Sequence, residues 1–458
     1  MPNALVVGAG MAGLAAARRL VDSGKSVVVL EARERLGGRL WTDRHFAEVP
    51  VELGAEFIHG DRVATWEYVR ALGLRTLHWN KLGDSQVRTE GGEWLSMAEA
   101  RAADRDLELT RTWELPDVPA GRYEDLGSYL KRIGFSRQQL RYVERWFANA
   151  QGEDMRFLSA AATLRALRGY AGNGEGDYRV IGGYDAVPKH LARGLDVRLS
   201  TPVAQVRWGA AGVTAVSEAG ESFAAESLII TVPVGVWQAD AIRFIPELPE
   251  EKSRALAGLR MGPVIKLVYR FAELVVGPET MAIYSRHNPP MWWSPSFGQI
   301  GRGPDKRSAP GSRPGERAAT PTTGHGGPGQ VWTAFVSGSA AASLLALGEH
   351  GALAAGVEAL SQELGRRLEP SDSRLIDWPG DRFSLGGYSY VLPGHDGVRG
   401  LLARPVPPLF FAGEASASEH QAGTVHGAIE SGRRAAGEVS AFLGEPSTGG
   451  GRSARSVD

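Results

Sequence analysis

A strand–glycine turn–helix–strand unit opens the chain and constrains its fold more than any other stretch. Ala4-Leu5-Val6-Val7 is a continuous apolar run, Gly8-Ala9-Gly10-Met11-Ala12-Gly13 follows at once, and Leu14 to Ser23 has helical composition. A second apolar run, Val27 to Leu30, ends in Glu31. This is a βαβ unit with an acid about 20 residues beyond the glycines, the spacing of a dinucleotide-binding fingerprint. Gly8 permits the turn out of the strand, Gly10 lets backbone approach a pyrophosphate, and Gly13 lets helix and strand pack closely. The phosphates then lie at a helix N-terminus, where free N–H groups and the helix dipole favour negative charge. Glu31 suits ribose hydroxyls and would repel a 2′-phosphate, which argues against NADP. A glycine turn serving packing alone is the bland alternative.

The 458 residues suffice for two or three domains. The 51 basic and 52 acidic side chains leave a net charge of −1, which implies no general attraction to nucleic acid or membrane surfaces. With no cysteine, disulfides, thiolate catalysis, cysteine-ligated metals and cysteine-tethered cofactors are excluded. The first strand begins too close to Met1 for a signal peptide, and no apolar run approaches the roughly 20 residues of a membrane span. A cytoplasmic monomer or homodimer without a metal site is the expectation.

Beyond the fingerprint, about Trp66 to Leu167 reads as helical and charged, with Trp94, Trp113 and Trp146 expected in the core. Val180-Ile181-Gly182-Gly183-Tyr184 reads as a glycine turn leading into a helix that ends at Leu191. Val197–Val206, Val213–Val216, Leu228–Val232 and Val264–Phe271 read as strands, and Leu344–Leu368 as a helix. Gly301–Gln330 is rich in Gly, Pro, Ser, Thr and Arg, and reads as a disordered surface loop; a nucleic-acid patch would need interleaved aromatics, which it lacks. Leu409-Phe410-Phe411, a glycine turn and a helix from Val425 to Phe442 close the folded part before a polar tail from Gly444.

Three motifs, in this order along the chain, carry a family resemblance: the glycine fingerprint, Glu31-Ala32-Arg33-Glu34-Arg35-Leu36-Gly37-Gly38-Arg39, and Phe411-Ala412-Gly413-Glu414 with Gly423-Thr424-Val425-His426-Gly427-Ala428. Together they resemble the flavin-containing amine oxidases, the group of monoamine oxidases, polyamine oxidases and lysine-specific histone demethylases. The resemblance implies an α/β fold with a discontinuous Rossmann-type FAD domain (1–76, 178–260 and 380–443). A mixed-sheet-plus-helices substrate domain (77–177 and 261–379) would be inserted into it, with 444–458 as a disordered tail. It implies FAD rather than NAD, contacted by Gly8, Gly10, Gly13, Glu31, Arg33, Gly38, Arg39, Gly54, Ala55, Glu56, Phe57, Val203, Trp378, Gly413, Glu414, Thr424 and Val425. A structural salt bridge is the other reading of Arg39.

Lys266 interrupts the apolar strand Val264-Ile265-Lys266-Leu267-Val268, and a lysine there costs desolvation unless something uses it. Either its head snorkels to solvent or, as the resemblance implies, it reaches the flavin N5 through a water. Tyr388 would face the substrate near the flavin, or simply pack in its strand. In the monoamine oxidases a cysteine precedes the corresponding tyrosine and bonds to the flavin. Here that residue is Gly387, so the FAD is expected to be noncovalent. The second aromatic of the monoamine oxidase pair falls at Thr424, so the two-tyrosine cage is absent. His59 resembles the polyamine oxidase histidine and would bond a substrate amine or a water at the mouth, unless it is structural. Glu56 would face the cofactor or an amine, and His426 would stand behind the site.

The expected reaction uses a small-molecule amine and O2. Hydride passes from the amine α-carbon to flavin N5, water hydrolyses the imine to a carbonyl product, and reoxidation gives H2O2. His59 and the unpaired Tyr388 tilt the substrate toward polyamine-like or bulky secondary amines. The alternatives are another enzyme of the same FAD fold, of carotenoid desaturase or protoporphyrinogen oxidase type, or a flavin-binding interaction protein with vestigial redox activity.

Overall fold

The computed structural model describes residues 1–89, 91–108, 110, 118–299 and 329–444. Its first layer is an all-parallel sheet ordered Asp196–Arg198, Val27–Leu30, Ala4–Val7, Ser227–Ile230, Leu409–Phe411. The central strands are apolar throughout because both faces are covered. Ala4 and Val6 face a helical layer that includes Leu14, Leu20, Ala435 and Val439. Leu5 and Val7 face a smaller four-stranded sheet through Val203, Val206 and Val213. The helices Met11–Asp22 and Val425–Leu443 pack so closely that a Cβ on Gly432 would lie 2.1 Å from the Ala12 carbonyl oxygen. The glycine turn of the N-terminus and the C-terminal motif thus share one end of one sheet.

The second body is a seven-stranded, mostly antiparallel sheet. Its order is Asp372–Asp377, Ile265–Phe271, Gln330–Val336, Met291–Trp293, Ala282–Tyr284, Ser85–Arg88, Trp94–Ser96. Strand alternation decides which way Lys266 points. Ile265, Leu267, Tyr269 and Phe271 enter a core that also contains Leu344, Ala352 and Leu360 of the helices Gly338–Leu345 and Gly348–Leu364. Val268, on the opposite face, packs with Val51, Leu53 and Trp378, and Lys266 shares that face. A small sheet of Phe57–His59, Asp177–Val180 and Thr76–Trp79 lies beside it.

The architecture is the α/β arrangement expected, with local differences. The stretch 197–206 is two strands in two sheets: Ser200 at φ 51° and Pro202 break it, and the Thr201 N–H bonds back to the Glu31 carbonyl. The helix expected over 344–368 is two helices, parted where Gly348 takes φ 70°. Among its described residues the region 66–167 contains three strands as well as helices. Trp113, nearly all of the 301–330 loop and the tail beyond Gly444 lie outside the described residues; Gln330 belongs to a strand. Among the described residues no helix is long and apolar enough to cross a membrane, and no cluster of three His, Asp or Glu could hold a metal.

Candidate active site

One cavity of about 1420 Å³ runs from the glycine turn, between the two sheets, and out along the helix Met97–Ala103. Gly8, Gly10, Glu31, Arg33, Gly38 and Arg39 line one end, and Val203, Gly413, Glu414, Thr424 and Val425 also border it. Lys266, Tyr388, Trp378, Glu56, Phe57 and His59 border it further in, with Gly54 and Ala55. Of the expected site residues, only Gly13 does not line it. A Cβ on Gly13 would sit 1.9 Å from the Gly8 carbonyl oxygen, so this glycine serves helix–strand contact. A Cβ on Gly10 would meet no protein atom closer than 4.0 Å, and so would fill cradle space. Glu31 is buried; its carboxylate accepts from the Ala9 N–H at 2.6 Å and the Arg33 N–H at 2.9 Å, which fixes it beside the turn. A glycine cradle, a helix N-terminus and a fixed acid together fit the ADP half of a dinucleotide.

The two distant motif blocks meet through charge. Arg39 donates to Glu414 at 3.0 Å and to the Gly387 carbonyl at 2.7 Å. Glu414 also accepts from the Ser389 N–H and hydroxyl and from the Gly423 N–H. Burial alone would raise its pKa, but Arg39, Arg399 and these bonds hold it below the ordinary carboxylate range. Arg399 reaches Ser389 and the Ala415 carbonyl and braces the same corner. Thr424 caps the last helix: its hydroxyl accepts from the Gly427 N–H at 3.0 Å and donates to the Gln421 carbonyl at 2.5 Å. Arg33 bonds Asp381 at 2.5 Å and Ser384 at 2.9 Å.

Lys266 is 4 % exposed and does not snorkel. Its ammonium donates to the Glu52 carbonyl at 2.8 Å, the Gly54 carbonyl at 2.9 Å and the Glu56 carboxylate at 3.1 Å. Glu56 also accepts from Arg179 at 3.3 Å and from the Trp293 indole at 2.7 Å. The nearby Glu52 side chain is pushed up to about 7 by burial, against bonds from the Tyr184 N–H and Thr42, with the Glu56 charge adding to the rise. Trp378 bonds the Leu53 carbonyl at 3.2 Å and packs edge-on against Trp41. The Tyr388 ring stands between Gly152 and Gly423, and its hydroxyl donates to the Ala150 carbonyl at 2.5 Å. Burial, with Glu414 adding, raises its pKa.

His59 pairs through Nδ1 with Asp177, which also binds Lys81. Burial alone would raise the Asp177 pKa; Lys81 and the hydrogen bonds from Lys81 and His59 pull it far below the ordinary value. Phe57 packs on Trp79 at 5.2 Å and on Trp293 at 5.5 Å, and Trp293 stacks on Phe335, giving the cavity an aromatic wall against whose cluster Tyr388 also packs. Thr424 contributes no ring, so the aromatic lining comes from the strands instead. Trp146 is buried as expected but also lines the cavity. His426 stands behind the site, 2 % exposed, its pKa pushed down to about 3 by burial with His59 and His420 adding. Asp177, Lys81, Arg179, Trp293 and Arg399 were not singled out by motif. A paired Trp292-Trp293 step in a short strand was the one available signal, with Trp292 in the core and Trp293 on the cavity.

A family model described as flavin containing amine oxidoreductase matches residues 11–440. Polyamine oxidase 4 of Oryza sativa subsp. japonica is 31 % identical over 95 % of this chain and 88 % of its own length. Lysine-specific histone demethylase 2 of Homo sapiens is 28 % identical over 96 % of this chain and 53 % of its own length. Among solved structures, putrescine oxidase bound to putrescine superposes with a TM-score of 0.74 at 22 % identity, covering 96 % of this chain and 98 % of that one. Cyclohexylamine oxidase from Brevibacterium oxydans IH-35A gives 0.74 at 22 %, covering 96 % and 99 %. With both motif blocks facing one cavity and the family model matching nearly end to end, the chain belongs to the flavin-containing amine oxidoreductases.

Proposed function

We propose that the protein is an FAD-dependent amine oxidase whose flavin is held without a covalent bond. The observation that carries this reading is the continuity of the cavity, from the Glu31–Gly10 end to the buried Lys266 and Tyr388. Gly8, Gly10, Glu31 and Arg33 would hold the ADP half. Arg39, Glu414, Thr424 and Val425 would frame the middle, where the Val425 helix N-terminus favours negative charge. Bound there, the flavin would accept hydride from the amine α-carbon and pass electrons to O2, releasing H2O2.

The chain's own residues then have separable tasks. Phe57, Trp293, Phe335 and Tyr388 exclude water and orient an amine by its apolar body, and their ring faces favour any residual positive charge. Asp177 bound at His59 Nδ1 favours the tautomer that leaves Nε2 an acceptor, suited to a substrate N–H. Lys266 places a fixed positive charge beside the reacting end. Its three protons are engaged by Glu52, Gly54 and Glu56, so its role is electrostatic and positional rather than that of a base. Gly387 supports noncovalent attachment: a Cβ there would lie 2.5 Å from the Val264 Cβ, so a linking cysteine has no room.

The rice relative's name makes polyamines one substrate class to test, and the solved relatives' names add putrescine and cyclohexylamine. The decisive experiment is purification followed by anaerobic mixing with an amine panel. A yellow protein bleached by at least one amine, with peroxide formed on admitting air, is expected. A bound flavin that no amine bleaches would refute the oxidase reading. Because ammonium cannot release hydride, bleaching should quicken as substrate amine deprotonates, and a flat pH profile in single turnover would count against hydride transfer from the neutral amine.

A further inference from the structure

From the charge pattern along the cavity, and resting on the oxidase reading above, we infer that the substrate is an amine with a single basic nitrogen and an apolar or aromatic body, not a di- or polyamine. Among the described residues five carboxylates line the cavity: Glu31, Glu56, Glu108, Glu218 and Glu414. None is spare. Glu31 accepts from the Ala9 and Arg33 N–H groups, Glu218 pairs with Arg382, and Glu414 with Arg39. Glu56 is shared by Lys266, Arg179 and Trp293, and Glu108 has an interaction of its own. Asp177, just behind the wall, already serves His59 and Lys81.

The outer arm of the cavity is otherwise mostly apolar or cationic, with the hydroxyl residues Thr110 and Tyr142 among its lining. Lys81, Arg101 and Arg105 line it together with Leu82, Met97 and Phe147. An amine whose reacting end sits by the aromatic wall extends its tail into this arm. A second ammonium there would leave water to meet Arg105 and the already engaged Lys81 and Arg101, with no unengaged carboxylate among the described residues, and desolvating an unpaired charge is costly. A methylene chain or a ring in the same place buries apolar surface at a gain.

The test uses a matched pair, hexylamine and hexane-1,6-diamine, with benzylamine and spermidine beside them. Anaerobic stopped-flow on the FAD-loaded enzyme gives a limiting bleaching rate and an apparent Kd for each. Hexylamine should exceed the diamine in rate over Kd by about tenfold or more, about 1.4 kcal/mol, chiefly through Kd. The second arm is Ala98→Glu, an exposed helical position on the cavity, which supplies a carboxylate and should narrow that gap. A diamine or spermidine matching or exceeding hexylamine would overturn the inference while leaving the oxidase reading intact. An unchanged gap in the folded Ala98→Glu variant would refute its electrostatic basis. Flavin bleached by no amine at all would bring down the oxidase reading and this inference with it.

Discussion

Arg39 donates to Glu414 across 3.0 Å and 375 residues of chain, joining the N-terminal glycine block to the C-terminal motif at one point of the cavity wall. The pair is a brace as much as a binding element. The Glu414 carboxylate is buried, and its remaining lone pairs go to Ser389 and Gly423.

Arg39→Met should therefore affect stability before chemistry. Removing Arg39 leaves the buried Glu414 carboxylate with Arg399 as its remaining cationic neighbour, at a cost of up to about 3 kcal/mol. Urea unfolding of the apoprotein should show this loss, and FAD affinity should fall in parallel. An apoprotein of unchanged stability would mean that Arg39 serves the cofactor alone.

Lys266→Met strands two carbonyls and a carboxylate that now share one ammonium. A loss of about 3 kcal/mol is expected, together with slower turnover. Adding Glu56→Gln should cost less than it does in wild type, because Glu56 has by then already lost one of its two cationic partners and keeps only Arg179. A double-mutant cycle by urea denaturation measures the coupling between the two side chains. Additive losses would contradict the ion pair.

Glu52 gives a pH dependence of definite sign. Its folded pKa, about 7, lies above the ordinary 4.5, so the folded state holds the extra proton between those values. Its contribution to stability is complete below about pH 4.5, declines as pH rises to about 7, and is flat beyond. The total is about 3 kcal/mol. Glu52→Gln keeps an acceptor for the Tyr184 N–H but cannot ionise. Wild type should lose more stability than this variant between pH 5 and pH 8, and parallel curves would place the Glu52 pKa near its ordinary value.

Gly387→Cys tests attachment. Its Cβ collides with Val264, and overpacking of this kind costs about 1–3 kcal/mol. The variant should melt lower than wild type and still release all its flavin on acid precipitation. Val264→Ala in the same chain should recover the melting temperature. Flavin retained on the precipitated single variant would show that the site can admit the linkage.

The parts legible in the sequence were those whose physics is local or anomalous. Ala4–Glu31 is strand, turn, helix and strand in succession, so periodicity and glycine spacing determine it. Lys266 stood out because a charge in an apolar strand demands a partner. Its partners did not, since two of them are backbone carbonyls, and a carbonyl leaves no mark on composition. Asp177 sits in Gly174-Glu175-Gly176-Asp177, which reads as a polar surface turn. Only the pairing of Phe57–His59 and Thr76–Trp79 on either side of its strand buries it between His59 and Lys81. The outer arm carries no motif, because apolar helix positions such as Met97 and Leu107 look alike whether they face a core or a cavity.

Gly10 and Gly13, three residues apart in one motif, should fail in opposite ways when replaced by alanine. At Gly13 the added Cβ would lie 1.9 Å from the Gly8 carbonyl oxygen, a backbone atom that cannot swing aside. Helix and strand must separate, and a loss above about 3 kcal/mol is expected with or without cofactor. At Gly10 the backbone has φ −74° and ψ −179°, which alanine adopts freely, and the Cβ meets no protein atom closer than the Gly37 carbonyl oxygen at 4.0 Å. The Gly10→Ala apoprotein should match wild type within about 0.5 kcal/mol. Its methyl group occupies the space a pyrophosphate needs against the helix N-terminus, so FAD affinity should drop by about a hundredfold or more, about 2.7 kcal/mol. Flavin fluorescence titration and apoprotein unfolding, run on both variants, separate the two effects. A Gly10→Ala protein that binds FAD as wild type does would remove the cradle from the glycine turn, whatever the family motif implies.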